Sequence, residues 1–356
     1  MNKHKKIIIF LLVLINLFLV AGLTVKLPVS YPKPPGNEFL PENLSHLQRK
    51  DWTKLIDKLG AEKAYAQLKS QMQDKSLKTQ HVAAHLFGDV LYEKKGFEGM
   101  SVCDGSFAYG CYHVFVARVL AEKGLQMIAK LDKICVKKYG PRMLGCQHGI
   151  GHGILEYFGY KYENILDALK YCDQTTGNRS NPFLSCLTGV FMEHNMPVVT
   201  TDDIPVIDWR KFDPNDPYYP CPTIPYEFQK ECYSQLGLWW NTVLNADYQK
   251  IGQLCQGIKD SENQSICFHS LGIFGATMAA YDVSETIKKC SLMPNEKSFL
   301  YCRSGAYQSF KSYQPKANEA NNVCDGLNKV DREYCIRGKY WEGNLNNNIR
   351  EKNTKL

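Results

Sequence analysis

The sequence predicts an all-α fold: about eight helical hairpins in an α/α repeat, arranged as a right-handed solenoid or a closed toroid and stapled by disulfides. Three observations carry this expectation. The fourteen cysteines fall in order into seven neighbour pairs: Cys103 with Cys111, Cys135 with Cys146, Cys172 with Cys186, Cys221 with Cys232, Cys255 with Cys267, Cys290 with Cys302, and Cys324 with Cys335. The second members recur at intervals of 35, 40, 46, 35, 35 and 33 residues. Self-similarity at such a period is the mark of stacked helical hairpins, each too small to bury its own apolar face. The segments flanking each pair carry apolar residues at three and four spacing, as in EKGLQMIAKLDKIC, YENILDALKYC and YDVSETIKKC before a first cysteine and CLTGVFMEHN or CFHSLGIFGATMAA after a second. Two residues beyond each second cysteine stand His113, His148, Thr188, Ser234, His269, Ser304 and Arg337, polar in every unit, which predicts a shared inner surface or groove.

At the start of the chain, Ile7 to Val25 is an uncharged apolar run behind Lys3, Lys5 and Lys6. A basic leader followed by such a run reads as an uncleaved signal-anchor or transmembrane segment over 1–25, with the body outside the cytoplasm, periplasmic or at the cell surface, or secreted if the leader is cleaved. Residues 26–50 follow as a linker: Lys26 to Leu44 holds five prolines and reads as an extended spacer. The repeat domain is assigned to 51–343. Its composition is that of a globular body, with 44% hydrophobic and 22% charged residues across the 356-residue chain. The formal charge of +7 is spread thinly and forms no basic stripe, which excludes nucleic acid as a partner.

Within the repeats, an exported chain with an even cysteine count predicts disulfides. Gaps of 8 to 14 residues inside each pair are too wide for zinc knuckles. Sequence alone leaves connectivity open, with thiolate ligands or free thiols as the alternative. Pairing within each unit is the simplest arrangement, because it staples two helices across one short turn. The local strings DALKYCDQ and YGCYHVF make the stretch from Gln80 to Gly343 resemble the cysteine-rich, tetratricopeptide-like repeat proteins that some bacteria secrete. That resemblance implies one disulfide per hairpin and a solenoid that serves as a binding scaffold. The glycine-histidine segments and the long unit between Cys186 and Cys232 depart from it.

The departure that carries chemistry is HGIGHGILEY, from His148 to Tyr157. If Thr79 stands in for a cysteine, HVAAHLFGDVLYE falls in the same register, so His81-x3-His85-x3-Asp89 matches His148-x3-His152-x3-Glu156, and the unit between them contributes His113. Histidines four apart present two imidazoles along one helical line, suited to a single ion. The acid one turn further is offset by about 80° from the first histidine, which suits orienting a ligand or moving a proton, so Asp89 and Glu156 are assigned catalytic roles. Gly149, Gly151 and Gly153 each cost about 1 kcal/mol in a helix interior and are expected to admit an ion, a substrate or a neighbouring helix. His269 could join only if the array closes into a ring. Glu193 and His194 fall off the polar line and read as surface.

The irregular stretch 195–231 holds seven prolines and reads as an insertion that could cover one mouth of the groove, and residues 344–356 read as a disordered tail. Together these readings predict a membrane-anchored, extracytoplasmic repeat protein with a transition-metal site (zinc, copper or iron) built from His81, His85, His113, His148 and His152, with hydrolysis or oxidoreduction as the chemistry it would support. The competing expectation is a non-catalytic scaffold that holds an envelope protein or peptide in its groove.

Overall fold

A computed structural model describes residues 49–75, 77–141, 144–177, 180–196 and 210–337. All of them belong to one compact unit, Asn37–Leu356. The apolar run of the leader, the spacer before residue 49, the stretch 197–209 of the insertion with Asp202 and Asp203, and the tail lie outside the described residues. Among the described residues no helix is long and apolar enough to cross a membrane.

Every regular element described is a helix. Helix α1 (Arg49–Leu59) begins two residues inside the stretch assigned to the spacer and α2 (Ala61–Met72) follows it, the pair packing ahead of α3 (Leu77–Lys95). Then come α4 (Gly110–Lys123), α5 (Ile128–Tyr139), α6 (Gly145–Phe158), α7 (Tyr162–Tyr171), α8 (Cys186–Asn195), α9 (Gln229–Val243), α10 (Tyr248–Gln256), α11 (Ser261–Met278), α12 (Val283–Ser291), α13 (Glu296–Ser312) and α14 (Lys329–Arg337). The helix boundaries follow local chemistry. Asp247, Asp260 and Asp282 cap α10, α11 and α12 with side-chain oxygens on orphan backbone N–H groups. Gly124, Gly140 and Gly159 end α4, α5 and α6 at positive φ, where a side chain would be strained.

Each neighbour pair of cysteines is a disulfide: Cys103 bonds Cys111, Cys135 bonds Cys146, Cys172 bonds Cys186, Cys221 bonds Cys232, Cys255 bonds Cys267, Cys290 bonds Cys302, and Cys324 bonds Cys335. No cysteine is free, so thiolate ligation by this chain is ruled out as these bonds stand. The second cysteine of each pair lies on one of a series of inner helices: Cys111 on α4, Cys146 on α6, Cys186 on α8, Cys232 on α9, Cys267 on α11, Cys302 on α13 and Cys335 on α14. Each inner helix packs on the next. With α3 at the head of the series, helices α5, α7, α10 and α12 form an outer layer against it. Seven disulfides fit an oxidising, extracytoplasmic environment.

The glycines set how close the inner helices come. A Cβ on Gly151 of α6 would lie 2.0 Å from the Cys186 carbonyl oxygen of α8, and one on Gly189 of α8 would lie 2.0 Å from the His148 carbonyl oxygen. The same reciprocal crossing recurs further along the chain, where Gly272 of α11 and Gly305 of α13 meet the carbonyl oxygens of Cys302 and His269 at 1.9 Å. On the other face of α6, Gly149 and Gly153 abut Tyr112 and Ala117 of α4. At Gly149, Gly151 and Gly153 the close approach is that of a neighbouring helix, as one of the expectations had it.

Of the two settings expected for the recurring polar position, an inner surface or a groove, its burial fits the inner surface. Of the residues two beyond each second cysteine, His113, His148, Thr188, Ser234, His269 and Ser304 are buried and only Arg337 is exposed. The six buried ones form a polar seam along consecutive inner helices. The described part of the insertion packs on α9: the Arg210 guanidinium stacks 3.7 Å over the Trp239 ring, and the Trp240 indole N–H donates to the Pro217 carbonyl.

Candidate metal centre

Helices α3, α4 and α6 deliver the five histidines. Within α3 the His81 and His85 ring centroids lie 4.3 Å apart, and within α6 those of His148 and His152 lie 4.7 Å apart, as one helical turn dictates. His113 of α4 stands between the two pairs, its centroid 5.0 and 5.3 Å from His81 and His85 and 5.8 and 4.4 Å from His148 and His152. Choosing one donor atom per ring, His81, His85 and His113 gather within 4.8 Å of one another, and so do His113, His148 and His152. His81 is half-buried and the other four are buried.

Their hydrogen bonds fix which nitrogen faces inward. His81 Nδ1 lies 2.7 Å from the Phe107 carbonyl oxygen, which can only accept, so Nδ1 carries the proton and Nε2 keeps its lone pair. That carbonyl comes from a segment in which Phe107, Ala108 and Tyr109 all adopt left-handed backbone, a strained conformation for residues with side chains. His152 Nδ1 donates to Glu193 Oε2 at 2.8 Å, and Glu193 Oε1 accepts from the Tyr160 hydroxyl at 2.7 Å. His148 Nδ1 lies 2.9 Å from Thr188 Oγ1, whose own proton goes to the Ser185 carbonyl, so the ring N–H donates here too. The Nε2 atoms of His148 and His152 then face each other at 3.0 Å, both with lone pairs. An ion with bonds of about 2.0–2.1 Å would bind both at an angle of about 95°.

Electrostatics keep these rings neutral. Burial penalises the imidazolium, and for all but His81 the neighbouring imidazoles add to that penalty; His85, His113 and His148 are held well below the ordinary histidine range, His152 falls to about 3, and His81 is lowered by burial against the opposing Phe107 hydrogen bond. Neutral imidazole is the form that ligates metal.

The acids are arranged differently from the sequence expectation. Asp89 is held by Arg49 and lies 3.3 Å from Arg118 Nε, so its carboxylate is committed to ion pairs. Glu156 is half-buried, and its Oε2 is buried without a hydrogen-bond partner among the described residues. Burial first, then the charges of Glu193 and Asp89, push it up to about 8 against the opposing pull of Arg118, so it holds its proton at neutral pH. The carboxylate that orients a ring is Glu193. Glu193 and His194, expected on the surface, are both buried. The visible signal was a lone acid in CLTGVFMEHN, an otherwise uncharged apolar helix apart from its neighbour His194.

Two further features bear on access. His269 Nε2 bonds Gln308 Oε1 at 2.8 Å and its ring packs on Phe183, and it joins neither triad. A cleft of about 320 Å³ is lined by Tyr160, His194, Arg210 and Trp239 among others, so the hydrogen-bonded chain Tyr160–Glu193–His152 runs from its wall to the imidazoles. Comparison with family models, with curated proteins and with solved structures finds no match for the chain.

Proposed function

We propose that this is a membrane-anchored, extracytoplasmic repeat protein that holds a transition metal on His81, His85, His113, His148 and His152. One observation carries the reading above others: the Nδ1 protons of His148 and His152 are tied to Thr188 and Glu193, which turns the Nε2 lone pairs of α6 onto one another at 3.0 Å, and His81 is tied in the same way to the Phe107 carbonyl. Two bare acceptor nitrogens at that distance repel unless an electron-poor centre lies between them. Imidazole donors suit zinc, copper and iron alike. The ion would supply Lewis-acid or one-electron chemistry to a hydrolase or oxidoreductase. Around it, Glu193 and the Phe107 carbonyl orient ligand rings, and Glu156 holds a proton at neutral pH that it can donate. Asp89 anchors α1 and α4 through Arg49 and Arg118. The apolar run at residues 7–25 is read as the membrane anchor, and the consecutive packing of inner helices supports a solenoid.

The experiment is elemental analysis of the tag-free exported protein, before and after exposure to zinc or copper ions, alongside His148→Ala. Wild type is expected to retain metal through dialysis and the variant to lose at least part of it. A wild type that keeps none of either ion after loading would overturn the reading.

A further inference from the structure

We propose that the centre is dinuclear, with one ion held by His81, His85 and His113, a second by His113, His148 and His152, and the His113 imidazole shared between them as a bridge. The inference rests on the metal-binding reading above and deepens it.

Distances carry the argument. A single ion with bonds of about 2.0–2.1 Å can span at most about 4.2 Å between two of its ligand atoms. The five rings gather within 4.8 Å only as two sets of three, and His113 belongs to both. One central ion would therefore leave part of the cluster unused. His113 has a nitrogen for each side. Its Nδ1 lies 3.2 Å from His85 Nε2. Its Nε2 is buried with no hydrogen-bond partner among the described residues, and the α6 pair stands beside the ring. A buried ring nitrogen left unpaired is costly unless something else satisfies it.

Each triad then resembles a three-histidine site with room for a further ligand. Two ions on opposite nitrogens of one imidazole would lie about 6 Å apart, from bonds of about 2 Å on either side of the ring. Binding of both ions takes the one N–H proton of neutral His113, which leaves to solvent, so the bridge is an imidazolate and one positive charge departs for every two divalent ions bound. The triads also differ in access, since His81 is half-buried and His148 and His152 are buried, so the α3 side is the side of entry.

The test is stoichiometry and magnetic coupling on the full body with its disulfides intact. Zinc loading followed by dialysis is expected to leave two ions per chain in wild type and one in His81→Ala or in His152→Ala. His113→Ala is expected to lose both, since each remaining pair offers only two nitrogens. Loaded with copper(II), wild type is expected to show less paramagnetic resonance intensity than two isolated spins, because an imidazolate couples them. One zinc per chain in wild type would refute the dinuclear proposal and leave the metal-binding reading standing, whereas no zinc would end both. Two zinc ions with full, uncoupled copper intensity would refute the bridge. Should His113→Ala fail to fold, wild-type stoichiometry and coupling still decide the matter.

Discussion

At the scale of single residues, the site depends on groups that touch no ion. Glu193 accepts from His152 and from Tyr160 while fully buried, so it fixes both the tautomer and the orientation of that ring. Glu193→Gln keeps the shape but removes the charge, and zinc affinity is expected to fall about 10- to 100-fold, read by competition against a chromophoric chelator. Unchanged affinity would mean that the carboxylate serves packing alone. Glu156 gives a second prediction with a definite sign. Its folded pKa, about 8, lies above its ordinary value of 4.5, so the metal-free protein loses the associated stability as pH rises through that interval. Glu156→Gln mimics the protonated acid. Its stability relative to wild type is expected to rise between pH 5 and pH 9, measured as the midpoint of urea unfolding; a constant difference across that range would show that the carboxyl is ordinary. Much of this was invisible in the sequence. The His-x3-His strings were legible because helical period and repeat register are written in residue identities. The Phe107 carbonyl was not, because any residue supplies a carbonyl and only the fold aims it.

At the scale of elements, helix pairs meet through glycine. The sequence justified the helices and their turns, and the short gap within each cysteine pair justified the staples, but the same small residues were compatible with an open groove or with a closed crossing. Contact distances decide for closure: the Cβ of Gly151→Ala would sit 2.0 Å from a backbone oxygen that cannot rotate away. Forcing α6 from α8 is expected to cost about 3 kcal/mol, at the upper end of overpacking effects. Gly105→Ala is the control, since its Cβ meets only ordinary contact at 3.4 Å and its φ is −71°. It is expected to change stability by less than about 0.5 kcal/mol. Equal effects of the two changes would show that the crossing relaxes freely. The staples are predicted to be nearly interchangeable. Separations of 8 to 14 residues differ by only about 0.5 kcal/mol in loop-closure entropy, so replacing either the pair Cys135 and Cys146 or the pair Cys290 and Cys302 by serines is expected to cost about 3 kcal/mol. Denaturant unfolding of the two variants under oxidising conditions checks this.

At the scale of the whole molecule, the seam of buried polar residues makes stability depend on pH. Seven histidines, His81, His85, His113, His148, His152, His194 and His269, have pKa values lowered mainly by burial, to about 3 in the cases of His152, His194 and His269. In the unfolded chain each would titrate near its ordinary value of about 6.5. Below that value the unfolded state binds protons that the native state refuses, so the free energy of unfolding falls as pH falls from about 6.5 toward about 3. Between about pH 6.5 and about pH 5 the histidines dominate the slope, opposed by Glu156. Glu156 acts with the opposite sign over part of the range, but it is one group against seven. The metal-free protein is therefore expected to lose stability steadily across that interval in urea titrations at fixed salt. His194 and His269 lie outside both triads, so replacing the two with asparagine tests the general cause without disturbing the metal ligands. The slope is expected to become shallower by about one third, because two of the seven histidines are removed while Glu156 still opposes the other five, if the groups contribute equally. A wild-type curve that stays flat across the same interval would mean that these rings charge in place without cost, and the seam would then be hydrated rather than sealed.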